Sequence, residues 1–270
     1  MTAPVFVFTS ETIEPADAAA SATPGTILML TGPEARHAVT VKRLRMQERV
    51  DLVDGAGLRL VCEVTGAGVG GARDRLAARV LERIEEPAPP LRLTLVQALA
   101  KGGRDEQAVE TATEVGVELV LPWQSERCVS VWQGAKQAKG RQRWQATALQ
   151  AAKQARRARV PEIGEARDTR RLADWVGRTV RGGGVVLVLH EEAGTAISTA
   201  MESLGLPAPE EVPPVLAVVV GPEGGISPEE TAVLEAAGAM TVRLGPHVMR
   251  TASAGPVALA VLAHASGLWE

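Results

Sequence analysis

Residues 216–220, LAVVV, form an unbroken aliphatic run. Such a run between turn residues reads as a strand buried on both faces of a parallel sheet. It stops at Gly221-Pro222-Glu223-Gly224-Gly225, where glycine conformations closed to other residues turn the chain sharply. Ser227-Pro228-Glu229-Glu230 follows. An N-cap serine, a proline at the first helical position and a glutamate at N3 predict a helix start there. Gly238 is its expected end and 240–244 the next strand; Gly245-Pro246 then opens a second turn, with a helix starting near Thr251 or Ser253. Two strand–turn–helix units in succession set two backbone-rich loops side by side at the carboxyl ends of parallel strands, where open α/β sheets bind ligands. Neither loop is a Walker sequence or a GxGxxG dinucleotide turn. The turns by themselves leave both structural corners and a ligand cleft open.

The rest of the chain divides at Glu85-Glu86-Pro87-Ala88-Pro89-Pro90, a proline-dense linker that no helix or central strand tolerates. Ahead of it, in 1–84, the pattern is short and β-like. Strands are expected at 27–30, 49–53, 58–64 and 76–84, with Asp54-Gly55-Ala56-Gly57 as a hairpin turn and a short helix from Glu34 to Arg45 with a basic end. A small β-barrel is the predicted outcome. Behind the linker, in 91–270, strands at 91–98, 117–121 and 183–189 alternate with helices, the first at 105–115, which predicts a mostly parallel α/β sheet. The proline-rich stretch around Glu210 reads as a surface loop.

A chain of 270 residues has length for two domains. It contains no long apolar stretch able to span a membrane and no signal-peptide pattern at its start, so a cytoplasmic setting is expected. Cys62 and Cys128 match no metal-ligand spacing, and no metal is expected. The formal net charge of −3 argues against a nucleic-acid binder, but the distribution argues for one. Between Arg127 and Arg159 there is no acid, while Lys136, Lys139, Arg141, Arg143, Lys153, Arg156 and Arg157 accumulate on a helix-periodic stretch whose Trp144, Ala148, Ala151, Ala152 and Ala155 form the packed side. A phosphate track explains this better than a plain solvated face.

GPEGGIS followed by LGPxxxRTxxAG resembles the cofactor-binding end of the SPOUT-class RNA methyltransferases, and within them the RsmE family. That family methylates N3 of a uridine in small-subunit (16S) ribosomal RNA. Further matches are KGxxxE at Lys101, Gly102 and Glu106, Glu114 and Gly116 in TExGV, Ser125-Glu126-Arg127-Cys128, and Gln154…Arg157…Arg159-Val160-Pro161. Departures are Thr111 where a lysine is common, Ala252-Ser253 where the usual wording is RTETA, and no basic residue at the very N-terminus. The resemblance implies a PUA-like β-barrel that engages RNA, a SPOUT domain with a C-terminal trefoil knot, S-adenosylmethionine as cofactor, ribosomal RNA or the assembled small subunit as partner, and a homodimer. The rivals are a non-catalytic RNA-binding protein, a SPOUT enzyme with another target nucleotide, and a nucleotide-dependent metabolic enzyme.

On this resemblance the cofactor pocket is lined by Gly221, Pro222, Gly224 and Gly225 of the first turn and by Leu244, Gly245, Pro246, Val248, Met249 and Arg250 of the second. Leu189 and Ile226 complete its apolar walls, and His190 closes the end of the 183–189 strand. Uracil N3 carries an imide proton, so methylation there needs a base or a cation that stabilises the anion. Arg250 is the first candidate and Glu223 the second; His190 and His247 are weaker. RNA contacts are expected from Arg36, Lys42, Arg43 and Arg45 in the first domain, and from Arg127, Lys153, Gln154 and Arg157 in the second.

Overall fold

A computed structural model describes residues 3–203 and 214–269; the stretch around Glu210, expected as a loop, lies outside them. The described residues group into two compact units. One comprises Met1–Ala88 with Ala152–Val160, the other Pro89–Ala151 with Pro161–Glu270. The chain first leaves the first unit after Ala88 and returns to it at Ala152.

The first unit contains β1 (Val5–Val7), β2 (Ile13–Glu14), β3 (Ile27–Thr31), α1 (Gly32–Arg36), β4 (Arg49–Val53), β5 (Leu58–Ala67) and β6 (Arg75–Glu85). The strands follow the order β1-β4-β5-β6-β3-β2. β1 runs parallel to β4 and the other pairs are antiparallel. The path has two ends, so the small barrel expected takes the form of a half-barrel. Two register shifts bend β5 against β6. Alternating residues Leu28 and Leu30, Leu52, Leu60 and Leu76 meet Phe6 in a fully buried core. The predicted 34–45 helix starts earlier, at Gly32, and passes through a π-helical turn at His37–Val41. Its basic end lies beyond it, where Arg43 takes a left-handed φ of 55°.

The second unit holds β7 (Arg92–Ala98), α2 (Arg104–Val115), β8 (Leu119–Gln124), α3 (Ala135–Gln154, whose last turn groups with the first unit), β9 (Glu162–Ile163), β10 (Arg167–Asp168), α4 (Thr169–Arg181), β11 (Val185–Leu189), α5 (Ile197–Ser203), β12 (Val215–Val220), α6 (Pro228–Ala236), β13 (Met240–Val242) and α7 (Thr251–Ala265). The sheet order is β10-β8-β7-β12-β11-β13, with β9 beside β8. Every described pair is parallel. Side chains alternate across the sheet, and both faces are covered. Leu93, Leu95, Leu216 and Val218 pack with Ala108 and Val109 of α2 and Leu259 and Leu262 of α7. Val96, Ala217, Val219 and Val188 pack with Leu172 and Val176 of α4 and Leu234 of α6. Burial on both faces is why these strands read as unbroken apolar runs.

Helix termini follow local chemistry. At Ser227 the full capping box forms, with Glu230 closing it. β8 starts later than 117, because Val117 gives its N–H to the Ala112 carbonyl at the end of α2. β13 is shorter than the expected 240–244. Among the described residues no helix is long and apolar enough to cross a membrane. Cys62 and Cys128 are both free thiols, and burial pushes the Cys62 thiol up to about 12.

Candidate active site

The carboxyl ends of β11, β12 and β13 open into one cleft of about 720 Å³. The two glycine turns leave strands that are not adjacent, since β11 lies between β12 and β13. This inserts the end of β11 into the cleft, with Leu189 and His190 between the two turns. His190 gives its backbone N–H to Val242 O at 3.0 Å, and its Nδ1 accepts from Glu192 N at 3.2 Å.

The first turn is held from every side. A Cβ on Gly221 would sit 2.7 Å from Ile226 Cγ1, so only glycine lets the turn fold back on itself. Gly225 has a φ of +74° and donates to Pro222 O at 3.0 Å. Thr251, the first residue of α7, donates its hydroxyl to Gly221 O at 2.8 Å and accepts from Gln97 Nε2 at 2.8 Å. Arg127 Nη1 donates to Gly224 O at 3.2 Å. Glu223 Oε1 accepts from Arg104 Nη1 at 3.0 Å and from Lys101 N at 3.3 Å. Burial works against ionisation of Glu223, but its own N–H, the Lys101 N–H and the Arg104 guanidinium outweigh it and hold the carboxyl below its ordinary 4.5. A carboxylate held that way is a poorer proton acceptor. Its contacts are those of a tether for the turn.

The second turn is held only at its ends. Arg243 donates to Thr195 O at 2.8 Å and accepts from Ile197 N at 2.9 Å, and Thr251 fixes the far end. Among the described residues no hydrogen bond ties 244–249. Val248 is 75% exposed and Met249 44%. Arg250 caps α7 through its backbone, and no described carboxylate pairs with its guanidinium.

All thirteen residues expected to hold a cofactor line this one cleft, from Leu189 and His190 through Gly221, Pro222, Gly224, Gly225 and Ile226 to Leu244, Gly245, Pro246, Val248, Met249 and Arg250. The RNA methyltransferase domain model matches residues 87–263, and an RNA methyltransferase PUA domain model matches residues 30–70. The chain is 44% identical over 247 residues to ribosomal RNA small subunit methyltransferase E of Mycobacterium bovis, covering 91% of this chain and 89% of that protein. The chain belongs to the RsmE family of RNA methyltransferases. The Bacillus subtilis RsmE protein is 26% identical over 88% of this chain and 90% of its own length. The fold matches the RsmE structure from Neisseria gonorrhoeae, solved bound to S-adenosyl methionine, with a TM-score of 0.78 and 25% identity over 97% of this chain and 98% of that one.

Against the RsmE resemblance, the RNA-side expectations divide. Arg36, Lys42, Arg43 and Arg45 are all exposed on the first unit, flanked by exposed Val41 and Met46. Lys153 is not on a solvated face, which corrects its assignment. It is buried, its Nζ lies 2.7 Å from Glu34 Oε1, and it sits over the Phe6 ring at 5.5 Å. Gln154 is exposed, while Arg157 is half-buried and engaged. Much of 152–160 is structural: Val160 donates to Gly55 O at 2.9 Å, Arg159 Nη2 to Glu86 O at 2.9 Å, and Arg59 Nη2 to Arg156 O at 2.8 Å. Ala155, expected on the packed side, is exposed just past the end of α3. Arg127 lines the cleft. Reading motifs from the sequence missed Arg104, Arg243 and Thr251 as lining residues; only the position of Arg104 beside Lys101-Gly102-Gly103 hinted at its place.

Proposed function

We propose that this chain transfers the methyl group of S-adenosylmethionine to N3 of a uridine in small-subunit ribosomal RNA, in the cytoplasm. The observation that carries the reading is the convergence of both glycine turns and the end of β11 on one cleft. The residues fit the cofactor. The cleft volume falls in the range of about 300–1,000 Å³ usual for small-molecule sites, its turns offer backbone N–H and C=O groups to an adenine edge, and Leu189, Ile226 and Leu244 supply apolar wall. When bound, the cofactor supplies a methyl on a sulfonium, an electrophile that needs no metal.

What remains for the protein is positioning and charge. Arg250 faces the cleft with its guanidinium uncommitted, suited to polarise a uracil carbonyl and stabilise the anion left when the imide proton departs. Glu223 keeps Arg104 and the first turn in place and takes no proton. Arg36, Lys42, Arg43 and Arg45 hold RNA phosphates, with Gln154 and Arg157 as further contacts. The exposed Val248 and Met249 support a homodimer in which a second copy covers the second turn. The return of the chain from β13 at the sheet edge to α7, packed on β7 and β12, is the segment we read as the trefoil knot. Stretching the chain by its termini to its full unknotted length would remove that reading.

The deciding experiment is methyl transfer to small ribosomal subunits from cells lacking this protein, followed by mass mapping of the rRNA. A single new methyl on a uridine N3 is expected. Binding of RNA without transfer would favour a non-catalytic binder, and a methyl elsewhere a different target nucleotide. Replacing Lys42, Arg43 and Arg45 together by alanine should weaken RNA binding and flatten its salt slope by about one for each phosphate no longer neutralised; an unchanged slope would take these residues out of the RNA face.

A further inference from the structure

We infer that Gln97 is a positioning residue for the cofactor turn, acting through Thr251; the inference rests on reading the cleft as the S-adenosylmethionine site. Gln97 lies near the carboxyl end of β7, fully buried, and does not line the cleft. Its Nε2 carries two N–H groups, and both are used. One reaches Ala98 O at 3.2 Å and the other Thr251 Oγ1 at 2.8 Å. Turning the amide over would press Oε1 against the Ala98 carbonyl, acceptor against acceptor, so the backbone fixes its orientation. A threonine hydroxyl has one proton. Because Gln97 presents an N–H to it, that proton is directed away, onto Gly221 O at 2.8 Å.

The chain of bonds therefore has a direction, from β7 through the start of α7 to the first residue of the turn. Gly221 is where β12 ends and the turn begins, so the setting of its carbonyl sets the peptide planes that follow. A second observation separates positioning from stability. Gln97 Oε1 is buried with no hydrogen-bond partner, which is a cost that an apolar side chain of similar shape would not carry. Glutamine at this point serves the geometry of the turn at the expense of the fold.

The test uses the full chain and S-adenosylmethionine itself, by calorimetry. Gln97→Met should weaken cofactor binding about fivefold, the scale of one hydrogen bond, while RNA affinity holds and thermal unfolding is unchanged or raised. Thr251→Val should weaken cofactor binding further, and Thr251→Ser, which keeps the hydroxyl, should restore it. In turnover, Gln97→Met should raise the KM for the cofactor and spare kcat at saturation. Cofactor affinity unchanged in Gln97→Met, or lowered only alongside a lower Tm, overturns the inference. If Gln97→Met does not fold, equal affinities of Thr251→Val and Thr251→Ser overturn it. A wild-type protein that fails to bind the cofactor instead refutes the reading of the cleft.

Discussion

The two glycine turns face one cleft but are built in opposite ways. The first, Gly221 to Gly225, is fixed by Thr251, Arg104, the Lys101 N–H, Arg127 and a capped helix. The second is pinned at Arg243 and Thr251 and spans the interval without described hydrogen bonds, its side chains largely in solvent. One wall of the site is tied to the rest of the fold along its length, and the other at its ends alone. The same contrast recurs among the cations. Arg104 and Lys153 are committed to carboxylates, whereas Arg250, Lys42 and Arg43 have no described ion-pair partner.

That division predicts where substitutions hurt. Arg250→Ala should lower methyl transfer about 10²–10³-fold, the usual cost of removing one donor to developing negative charge, with thermal unfolding unchanged. Near-wild-type transfer would place Arg250 outside the chemistry. Lys153→Ala should cost about 3 kcal/mol in denaturant unfolding, because it strands Glu34 in a mostly buried place; a loss confined to RNA binding would restore Lys153 to the RNA face. Gly221→Ala should cost about 1–3 kcal/mol through the clash with Ile226. Gly245→Ala, where a Cβ meets nothing within 4 Å, should change stability by less than about 0.5 kcal/mol. Equal effects at the two glycines would erase the contrast between the turns.

The smallest effect is that of pH on Glu223. Its folded carboxyl titrates below 4.5, so its contribution to stability is present above the unfolded value and fades as pH falls through the folded one. In unfolding, wild type should show a small advantage over Glu223→Gln above pH 4.5 that fades as acid protonates the Glu223 carboxyl. A wild-type advantage present at low pH and lost as pH rises would reverse the sign.

What the sequence made legible was local or was repeated along the chain. The capping box at Ser227 uses neighbours within one turn of helix, and 216–220 carries its burial on both faces in its own composition. The cleft was legible because its two turns belong to the resemblance with RsmE proteins. Contacts between distant residues were not legible. Helical spacing placed Lys153 among cations of an open face, but Glu34 and Phe6, far away in sequence, pull it inward. Nothing in 185–189 announces that this strand separates β12 from β13. The partner of Glu223 was not legible either, because Arg104 approaches it from another strand–helix connection.

The return of Ala152–Val160 to the first unit has a consequence for biosynthesis. Gly55, Gly57 and Glu86 obtain their partners from Val160, Ala158 and Arg159, so a nascent chain that has emerged only as far as Ala88 still lacks part of its own amino-terminal half. That half is completed only after the ribosome has delivered the opening helices of the other, and a fragment cut at the proline linker would leave those backbone groups to water.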